Sequence, residues 1–126
     1  MKKTLLIIVL VLALMVSTVV VAFAADSTVY LQTSNTTSKY TGSISTVSAQ
    51  AYGYSYTDST NGTFMELQCY GYDNQWHYKG GADLIAGGNS RNIPLTRYDD
   101  YSHNWRVRLY PWNGKTGAHS FGTVYN

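Results

Sequence analysis

Apolar and polar residues alternate at every second position through most of the chain after residue 25, and this alternation restricts the fold more than any other feature. In the clearest run, residues 105–112, one side holds Trp105, Val107, Leu109 and Pro111. The other side holds Arg106, Arg108, Tyr110 and Trp112. Successive side chains of an extended chain point to opposite faces, so the run predicts a strand with one face in the core. No helical period of useful length appears after residue 25.

Turn sequences separate the alternating runs and set the number of strands. Glycine and asparagine mark the turns, whereas tyrosine, threonine and valine favour the strands between them. The runs cover residues 27–33, 44–57, 63–72, 76–80, 82–86, 91–98, 105–112 and 118–125. Pro94 cannot donate a hydrogen bond to a neighbouring strand, so residues 91–98 are predicted to form an edge strand. Seven or eight short strands are typical of an antiparallel sandwich or a small barrel, and we predict an all-β, antiparallel β-sandwich.

The N-terminal segment has the form of a secretory signal peptide. Lys2 and Lys3 precede a long apolar run, and the small residues Ala22 and Ala24 stand two apart just before polar sequence begins. We predict a signal helix over residues 1–24, cleavage after Ala24, and a single secreted, extracellular domain over residues 25–126. On this prediction the protein contacts the membrane only through the signal segment, before that segment is cleaved. The alternative is a membrane-anchored protein, because about 20 apolar residues are long enough to span a bilayer.

Net charge argues against one class of partner. Without residues 1–24 the chain has seven basic and seven acidic residues, so the predicted mature domain is neutral. Non-specific electrostatic binding to nucleic acid or anionic lipid depends on a basic surface. We therefore predict no nucleic-acid partner.

Cys69 is the one cysteine of the chain, so it cannot form an internal disulfide. An isolated thiol usually behaves as a small buried apolar group, and this is the prediction for Cys69. An intermolecular bridge and a reactive thiol are the alternatives.

Residues that bind metals are few and scattered. The three histidines, His77, His103 and His119, fall on different predicted elements, whereas a zinc site needs three or four convergent ligands. The oxygen-rich run that starts at Asp58 lacks the acidic spacing and the final carboxylate of a calcium loop. The sequence therefore predicts no metal and no cofactor.

One segment offers the parts of a hydrolase. Asp99, Asp100, Ser102 and His103 lie within five residues of one another. Catalytic groups usually converge from separate rigid elements, so we interpret this segment as a polar turn. The prediction is a protein that is not an enzyme.

Three tyrosines raise the question of an aromatic binding surface. Tyr52, Tyr54 and Tyr56 occupy alternate positions, so their rings are predicted to share one face of a strand. Asn61-Gly62 is the strongest hairpin signal of the chain, and it predicts that this strand pairs with residues 63–72.

The length of the hairpin loop decides where these rings point. A loop of three residues places Tyr52 opposite Tyr70 and puts the tyrosines in solvent. A loop of two residues shifts the pairing by one and turns them toward Leu67 and Cys69 in the core. The longer loop separates apolar from polar residues better, and we predict it. It gives one exposed surface of five rings, Tyr52, Tyr54, Tyr56, Tyr70 and Tyr72.

The polar side of residues 105–112 is a second candidate binding surface. If this side faces water, Arg106, Arg108, Tyr110 and Trp112 form a strip of guanidinium and aromatic groups. Aromatic faces suit sugar rings, and arginine adds planar donors for carboxylate or hydroxyl groups. The alternative is that the rings pack on a neighbouring strand and the arginine stems cover them.

Two long segments carry a resemblance to known proteins. NGTFMELQCYGYDNQW, residues 61–76, and WRVRLYPWNGKTGAHSFGTVY, residues 105–125, resemble small exported β-sandwich proteins of Gram-positive bacteria, most of which have no assigned activity. GAHSFGTV, residues 117–124, is similar to segments of secreted β-sandwich bacteriocins of the lactococcin 972 type. The resemblance implies a bacterial, extracellular protein and assigns no functional residue.

These features predict a secreted, non-enzymatic β-sandwich that weakly binds a polysaccharide, a cell wall or a protein surface through its aromatic rings. The first alternative is a bacteriocin-like secreted antagonist. The second is a secreted hydrolase that uses residues 99–103.

Overall fold

A computed structural model describes residues 25–126. Within this range the chain forms nine strands: β1 Asp26–Leu31, β2 Lys39–Tyr40, β3 Ile44–Thr46, β4 Ser48–Ser55, β5 Thr63–Tyr70, β6 Trp76–Leu84, β7 Asn89–Arg97, β8 His103–Pro111 and β9 Ser120–Tyr125. A turn of 3-10 helix, Trp112–Gly114, follows β8. The predicted signal peptide, residues 1–24, lies outside the described residues. In the described part of the chain, no helix has the length and apolar character needed to cross a bilayer.

The strands form two antiparallel sheets with the core between them. Sheet A has the strand order β1-β9-β4-β7. Sheet B has the order β2-β8-β5-β6, and β3 also pairs with β8. The predicted antiparallel β-sandwich is therefore confirmed. Because β7 is an outer strand of sheet A, the edge position predicted from Pro94 is confirmed as well.

In the core, small residues of one sheet pack against large residues of the other. The inner face of β4 in sheet A carries Ala49, Ala51, Gly53 and Ser55. The inner faces of β5 and β8 in sheet B carry Met65, Leu67, Trp105, Val107 and Leu109, all fully buried. A Cβ atom added at Gly53 would lie 2.7 Å from Sδ of Met65, so the bulk of sheet B fills the space that β4 leaves. The tyrosine and phenylalanine side chains of β4, β5 and β8 point outward, whereas Trp105 points into the core.

Two predicted runs are divided differently in the structure. The run over residues 44–57 breaks at Val47, because β3 pairs with β8 in sheet B whereas β4 pairs with β7 and β9 in sheet A. The runs over residues 76–80 and 82–86 join into the single strand β6. A bulge at Lys79 shifts the register against β5, and pairing then continues as far as Leu84.

The predicted hairpin at Asn61-Gly62 is wrong. Strands β4 and β5 lie in different sheets, so the segment between them crosses from one sheet to the other. Tyr52 pairs with Thr123 of β9, and Tyr70 pairs with Trp76 of β6. Neither of the two predicted loop lengths therefore applies.

The local geometry explains why Asn61-Gly62 does not make a hairpin. The two-residue turn that this dipeptide favours needs a positive φ at both residues, and neither Asn61 nor Gly62 has one. Instead, Nδ2 of Asn61 donates to the carbonyl oxygens of Trp112 and Lys115 at 3.2 and 3.0 Å. The side chain that signals a turn thus holds the β4–β5 crossover against the β8–β9 connection.

Cys69 is a free, fully buried thiol, as the sequence predicted. Burial raises the pKa of this thiol from 9.0 to about 11. Because the thiolate is the reactive form, we expect iodoacetamide at pH 8 to alkylate the native protein at least about 100-fold more slowly than the urea-unfolded chain. Mass spectrometry of quenched time points measures both rates. A native rate close to the unfolded rate would instead support the reactive-thiol alternative.

Candidate functional site

The nine residues proposed from the sequence as ligand-binding do not lie on one surface. The outer face of sheet A carries Tyr52 and Tyr54, and Tyr56, just after β4, packs beside them on Phe121. The outer face of sheet B carries Tyr70, Arg106, Arg108 and Tyr110. Tyr72 lies beyond the end of β5, and Trp112 lies in the turn after β8. The predicted surface of five tyrosines is therefore wrong, because its strands belong to different sheets.

We call the outer face of sheet A the tyrosine face; it comprises Tyr30, Tyr52, Tyr54, Tyr56, His119 and Phe121. The ring centroids of the four tyrosines lie 5.8 to 6.1 Å from that of Phe121. Tyr56 also packs on His119 at 4.3 Å, and Oδ1 of Asp58 lies 2.7 Å from Nδ1 of that histidine. These rings contact one another across strands, which is the arrangement expected of aromatic packing that covers a sheet.

We call the outer face of sheet B the arginine–aromatic face; it comprises Tyr40, Phe64, Glu66, Gln68, Tyr70, Trp76, Tyr78, Arg106, Arg108 and Tyr110. Its members come from β2, β8, β5 and β6, the four neighbouring strands of the sheet. The register places Gln68 opposite Arg106, Glu66 opposite Arg108 and Phe64 opposite Tyr110. Alternation along each strand therefore brings the polar and aromatic groups together in rows across the sheet.

A continuous hydrogen-bond network runs along the centre of this face. Nε of Arg106 donates to Oε1 of Gln68 at 2.9 Å, and Nε2 of Gln68 donates to Oε2 of Glu66 at 3.0 Å. The same carboxylate oxygen accepts from Nη1 of Arg108 at 3.3 Å. Nε of Arg108 donates to Oγ of Ser38 at 2.9 Å. The network fixes the positions of both guanidinium groups relative to the sheet.

Aromatic rings enclose the guanidinium group of Arg106. Its Cζ atom lies 4.2 Å from the ring centroid of Tyr40 and 3.9 Å from that of Trp76, above the ring in each case. Arginine commonly stacks on aromatic faces in this way. The ring of Trp76 is held in turn by Tyr70, at a centroid distance of 5.1 Å.

The two arginines differ in how their charge is balanced. Arg108 forms an ion pair with Glu66, and its guanidinium lies 4.6 Å from the ring centroid of Tyr110. Arg106 forms no ion pair within residues 25–126, and the amide of Gln68 is its only protein hydrogen-bond acceptor there. Partial burial lowers the pKa of Arg106 below its ordinary value, and the nearby positive charge of Arg108 acts in the same direction. Arg106 is therefore a cation in an aromatic setting with no ion-pair partner in the described part of the chain.

Exposure and chemistry distinguish the arginine–aromatic face as the better candidate site. Tyr78 and Tyr40 expose 60% and 45% of their surfaces beside fixed donors and acceptors. Binding sites for organic ligands combine aromatic surface with a small number of oriented polar groups, and this face has both. The tyrosine face has the rings, but they are packed around Phe121.

Trp112 lies at the border of the arginine–aromatic face. Its indole ring covers Gly62, where an added Cβ atom would come within 2.4 Å of the ring. Its Nε1 donates to Oδ1 of Asp83 at 3.2 Å. Trp112 is thus held in place by backbone packing and a carboxylate from β6.

The proposed hydrolase segment forms a polar cluster at one end of the sandwich. Oδ1 of Asp99 lies 2.8 Å from Nε2 of His103 and accepts from the backbone N–H of Tyr101 at 2.8 Å. Partial burial of Asp99 acts to raise the pKa of its carboxyl group, but hydrogen bonds from Tyr101, His103 and Tyr72 outweigh it and hold that pKa below its usual range. The pKa of Tyr72 is raised, by desolvation and by its hydrogen bond to Asp99.

The residues of this cluster are not arranged as a catalytic triad. The second ring nitrogen of His103, Nδ1, lies 3.2 Å from the carbonyl oxygen of Tyr70, so both nitrogens already have partners. Oγ of Ser102 lies 3.1 Å from Oγ of Ser45, and Asp100 pairs with Arg97 at 3.1 Å. A triad requires a histidine nitrogen directed at the nucleophile, which this geometry does not provide. Across residues 25–126, no three His, Cys, Asp or Glu side chains come together as a metal site.

Comparison with known proteins identifies the fold. The sequence matches no protein-family model and no curated protein. The structure is similar to PBSX exported protein XepA, with a TM-score of 0.51 at 10% identity, over 82% of this chain and 36% of that one. The mitogen derived from Yersinia pseudotuberculosis gives a TM-score of 0.49 at 13% identity, over 82% of this chain and 85% of that one.

A carbohydrate-binding domain is also among the similar structures. It is the CBM36-1 domain of a multidomain xylanase from the hindgut metagenome of Trinervitermes trinervoides, with a TM-score of 0.43 at 10% identity, over 82% of this chain and 71% of that one. At these identities the likeness concerns the two-sheet architecture alone.

Sequence reasoning missed five members of the arginine–aromatic face that contact or flank the arginines: Tyr40, Glu66, Gln68, Trp76 and Tyr78. The outward positions of Glu66 and Gln68 were visible in the alternation of residues 63–72. Their partners were not, because the hairpin signal assigned β5 to β4 and left β8 without a neighbour. Tyr40 lies on a strand of two residues, which is too short to show an alternating pattern.

Proposed function

We propose that this protein is a secreted, non-enzymatic β-sandwich that binds a polysaccharide on its arginine–aromatic face. One observation carries the proposal: the guanidinium of Arg106 is held between Tyr40 and Trp76, and Gln68 and the exposed Tyr78 follow it in the same row across the sheet. Exposed rings and oriented polar groups therefore occur together on this face.

The chemistry of the face fits a sugar polymer. The C–H faces of pyranose rings pack on flat aromatic side chains, and the rings of Tyr40 and Tyr78 are the most accessible ones here. Hydroxyl groups of the sugar then meet the Arg106–Gln68–Glu66 network, which offers donors and acceptors in fixed positions. Binding of this kind has no covalent step.

The extent of the face also suits a polymer. From β2 to β6 it crosses four strands, a width of about 14 Å at the usual spacing between strands. It lies on the side of a rigid sheet, so its groups keep their positions without a ligand. An extended chain of several linked sugars can cross the strands and contact Tyr40 and Tyr78 at the same time.

Retention on insoluble polysaccharide tests this proposal. Purified protein is incubated with bacterial cell walls, chitin, cellulose and calcium-gelled polygalacturonate, and tryptophan fluorescence measures the unbound fraction. We expect retention on at least one of them, and we expect Tyr78→Ala to weaken it about tenfold, as loss of an interface anchor of more than 1 kcal/mol does. Tyr30→Ala is the matched control, because this tyrosine is 56% exposed but lies on the tyrosine face.

The two variants give distinct answers. If Tyr30→Ala abolishes retention and Tyr78→Ala does not, ligand binds the tyrosine face and the assignment to sheet B is wrong. If none of the four materials retains the protein, the polysaccharide proposal fails. Far-UV circular dichroism of each variant verifies that its sheets are intact.

A further inference from the structure

We infer that the polysaccharide is acidic, and that Arg106 binds a carboxylate carried by a sugar of the uronic acid class. This inference rests on the proposed function and names the ligand class of the same face. Its basis is the difference between the two arginines, one of which has a carboxylate partner in the protein while the other does not.

The available donors of Arg106 support a bidentate ligand. Only its Nε atom is engaged, by Oε1 of Gln68, and within residues 25–126 the two Nη groups donate to no protein acceptor. Arginine presents these groups as a planar fork that matches the two oxygens of a carboxylate. The Cζ atom lies over the rings of Tyr40 and Trp76 and the side chain is partly exposed, so a ligand carboxylate meets the Nη groups beside these two rings.

The surroundings of Arg106 favour an anion over a neutral group. Of the carboxylates in the described chain, Glu66 is the one within this network, and it already accepts from Arg108 and Gln68. Its side chain is 14% exposed, so it is not free to turn toward Arg106 without breaking the pair with Arg108. A partly buried cation without a counter-ion gains more from an incoming carboxylate than a surface cation does.

A sugar carboxylate fits better than a carboxylate on a peptide because of what adjoins it. The exposed rings of Tyr40 and Tyr78 lie on either side of Arg106 along the direction that crosses the strands. A polyuronate presents a pyranose face and a carboxylate in every repeat, and so contacts the rings and the guanidinium together. An acidic peptide has the carboxylates but no comparable flat apolar surface.

Matched polymers test this inference. The affinity of the purified protein for soluble polygalacturonate and alginate is compared with its affinity for their methyl esters, which keep the sugar chain and remove the charge. We expect each acid form to bind at least about tenfold more tightly than its ester, because a hydrogen bond to a charged group contributes about 1.5–3 kcal/mol. Poly-L-glutamate is measured as the acidic peptide.

Variants locate the effect. Arg106→Gln is expected to weaken binding of the acid forms at least about tenfold more than it weakens binding of the esters, which lose only contacts to neutral oxygens. Arg106→Lys, which keeps the charge and loses the planar fork, is expected to fall between Arg106→Gln and the native protein. Arg91→Gln is the control: it removes the same charge from an exposed position on β7, in the other sheet.

Each contrary result has a defined meaning. Equal affinity for acid and ester, with Tyr78→Ala weakening both, overturns the inference and leaves the polysaccharide proposal standing. Poly-L-glutamate binding as tightly as the polyuronates, or Arg91→Gln acting as strongly as Arg106→Gln, also overturns it. If neither acid polymer binds while chitin, cellulose or cell walls retain the protein, the inference that the polysaccharide is acidic is wrong. If nothing binds in either experiment, both proposals fail.

Discussion

Replacing Trp105 with alanine is expected to lower the free energy of unfolding by about 3–5 kcal/mol, the usual cost of removing a buried tryptophan. Trp105 is fully buried in sheet B, where it pairs with Cys69 on one side and Ile44 on the other. Its Nε1 donates to the carbonyl oxygen of Thr46 at 3.0 Å. The substitution therefore leaves a cavity and also removes the donor of a carbonyl at the point where the chain leaves sheet B.

Urea denaturation followed by far-UV circular dichroism measures this effect, and it does not depend on the fluorophore that is removed. Trp76→Ala is the matched control, because this tryptophan lies on the outer face of the same sheet and is only partly buried. Trp105→Phe keeps much of the apolar volume and is expected to be destabilised by about 1–3 kcal/mol, chiefly through the unsatisfied carbonyl. If Trp76→Ala were the more damaging substitution, the assignment of Trp105 as the main packing residue would be wrong.

Trp105 also shows what the sequence was able to predict. Its run alternates without interruption, so the inward and outward sides of β8 follow from the chain alone, and the structure confirms them. In β4 the alternation likewise places the tyrosines and the alanines on opposite sides, and the structure directs the tyrosines outward, although the hairpin from which that direction was predicted does not form. Alternation is a property of one strand and requires no knowledge of its partners.

Pairing could not be predicted in this way, because the partners are distant in sequence. β8 lies between β2 and β5, and β4 lies between β9 and β7, so none of these four contacts joins consecutive strands. The strongest local pairing signal, at Asn61-Gly62, gave the wrong partner. The rings that enclose Arg106 come from β2 and β6, and only the three-dimensional fold brings Tyr40 and Trp76 to the same guanidinium.

The crossover that replaces the predicted hairpin depends on a glycine in another segment. Gly117 has a φ of 98°, a backbone conformation that residues other than glycine rarely adopt. Its carbonyl oxygen accepts from the backbone N–H groups of Thr60 and Asn61 at 2.9 and 3.2 Å. Its own N–H donates to the carbonyl oxygen of Thr33 at 2.7 Å. One residue thus connects the segment after β1, the β4–β5 crossover and the β8–β9 connection.

Gly117→Val is therefore expected to lower the free energy of unfolding by about 2–5 kcal/mol, from backbone strain together with a steric clash. A Cβ atom at this position would overlap Oγ1 of Thr60, so the side chain of Thr60 has to move as well. Urea denaturation measures the loss, and the same samples can be assayed for retention on polysaccharide.

Gly114→Ala separates the special position of Gly117 from a general sensitivity of this loop. Gly114 also has a positive φ, 61°, but it lies in the left-handed region that other residues can enter, and an added Cβ atom would meet only the carbonyl oxygen of Thr36 at 3.4 Å. Gly114→Ala is expected to lower the free energy of unfolding by about 1–2 kcal/mol. Because Gln68 and its neighbours Arg106 and Tyr78 lie toward the other end of β5 from this crossover, Gly117→Val molecules that remain folded should still bind. Equal losses of stability in the two variants, or loss of binding in a folded Gly117→Val protein, would show that the crossover has a different role from the one assigned to it.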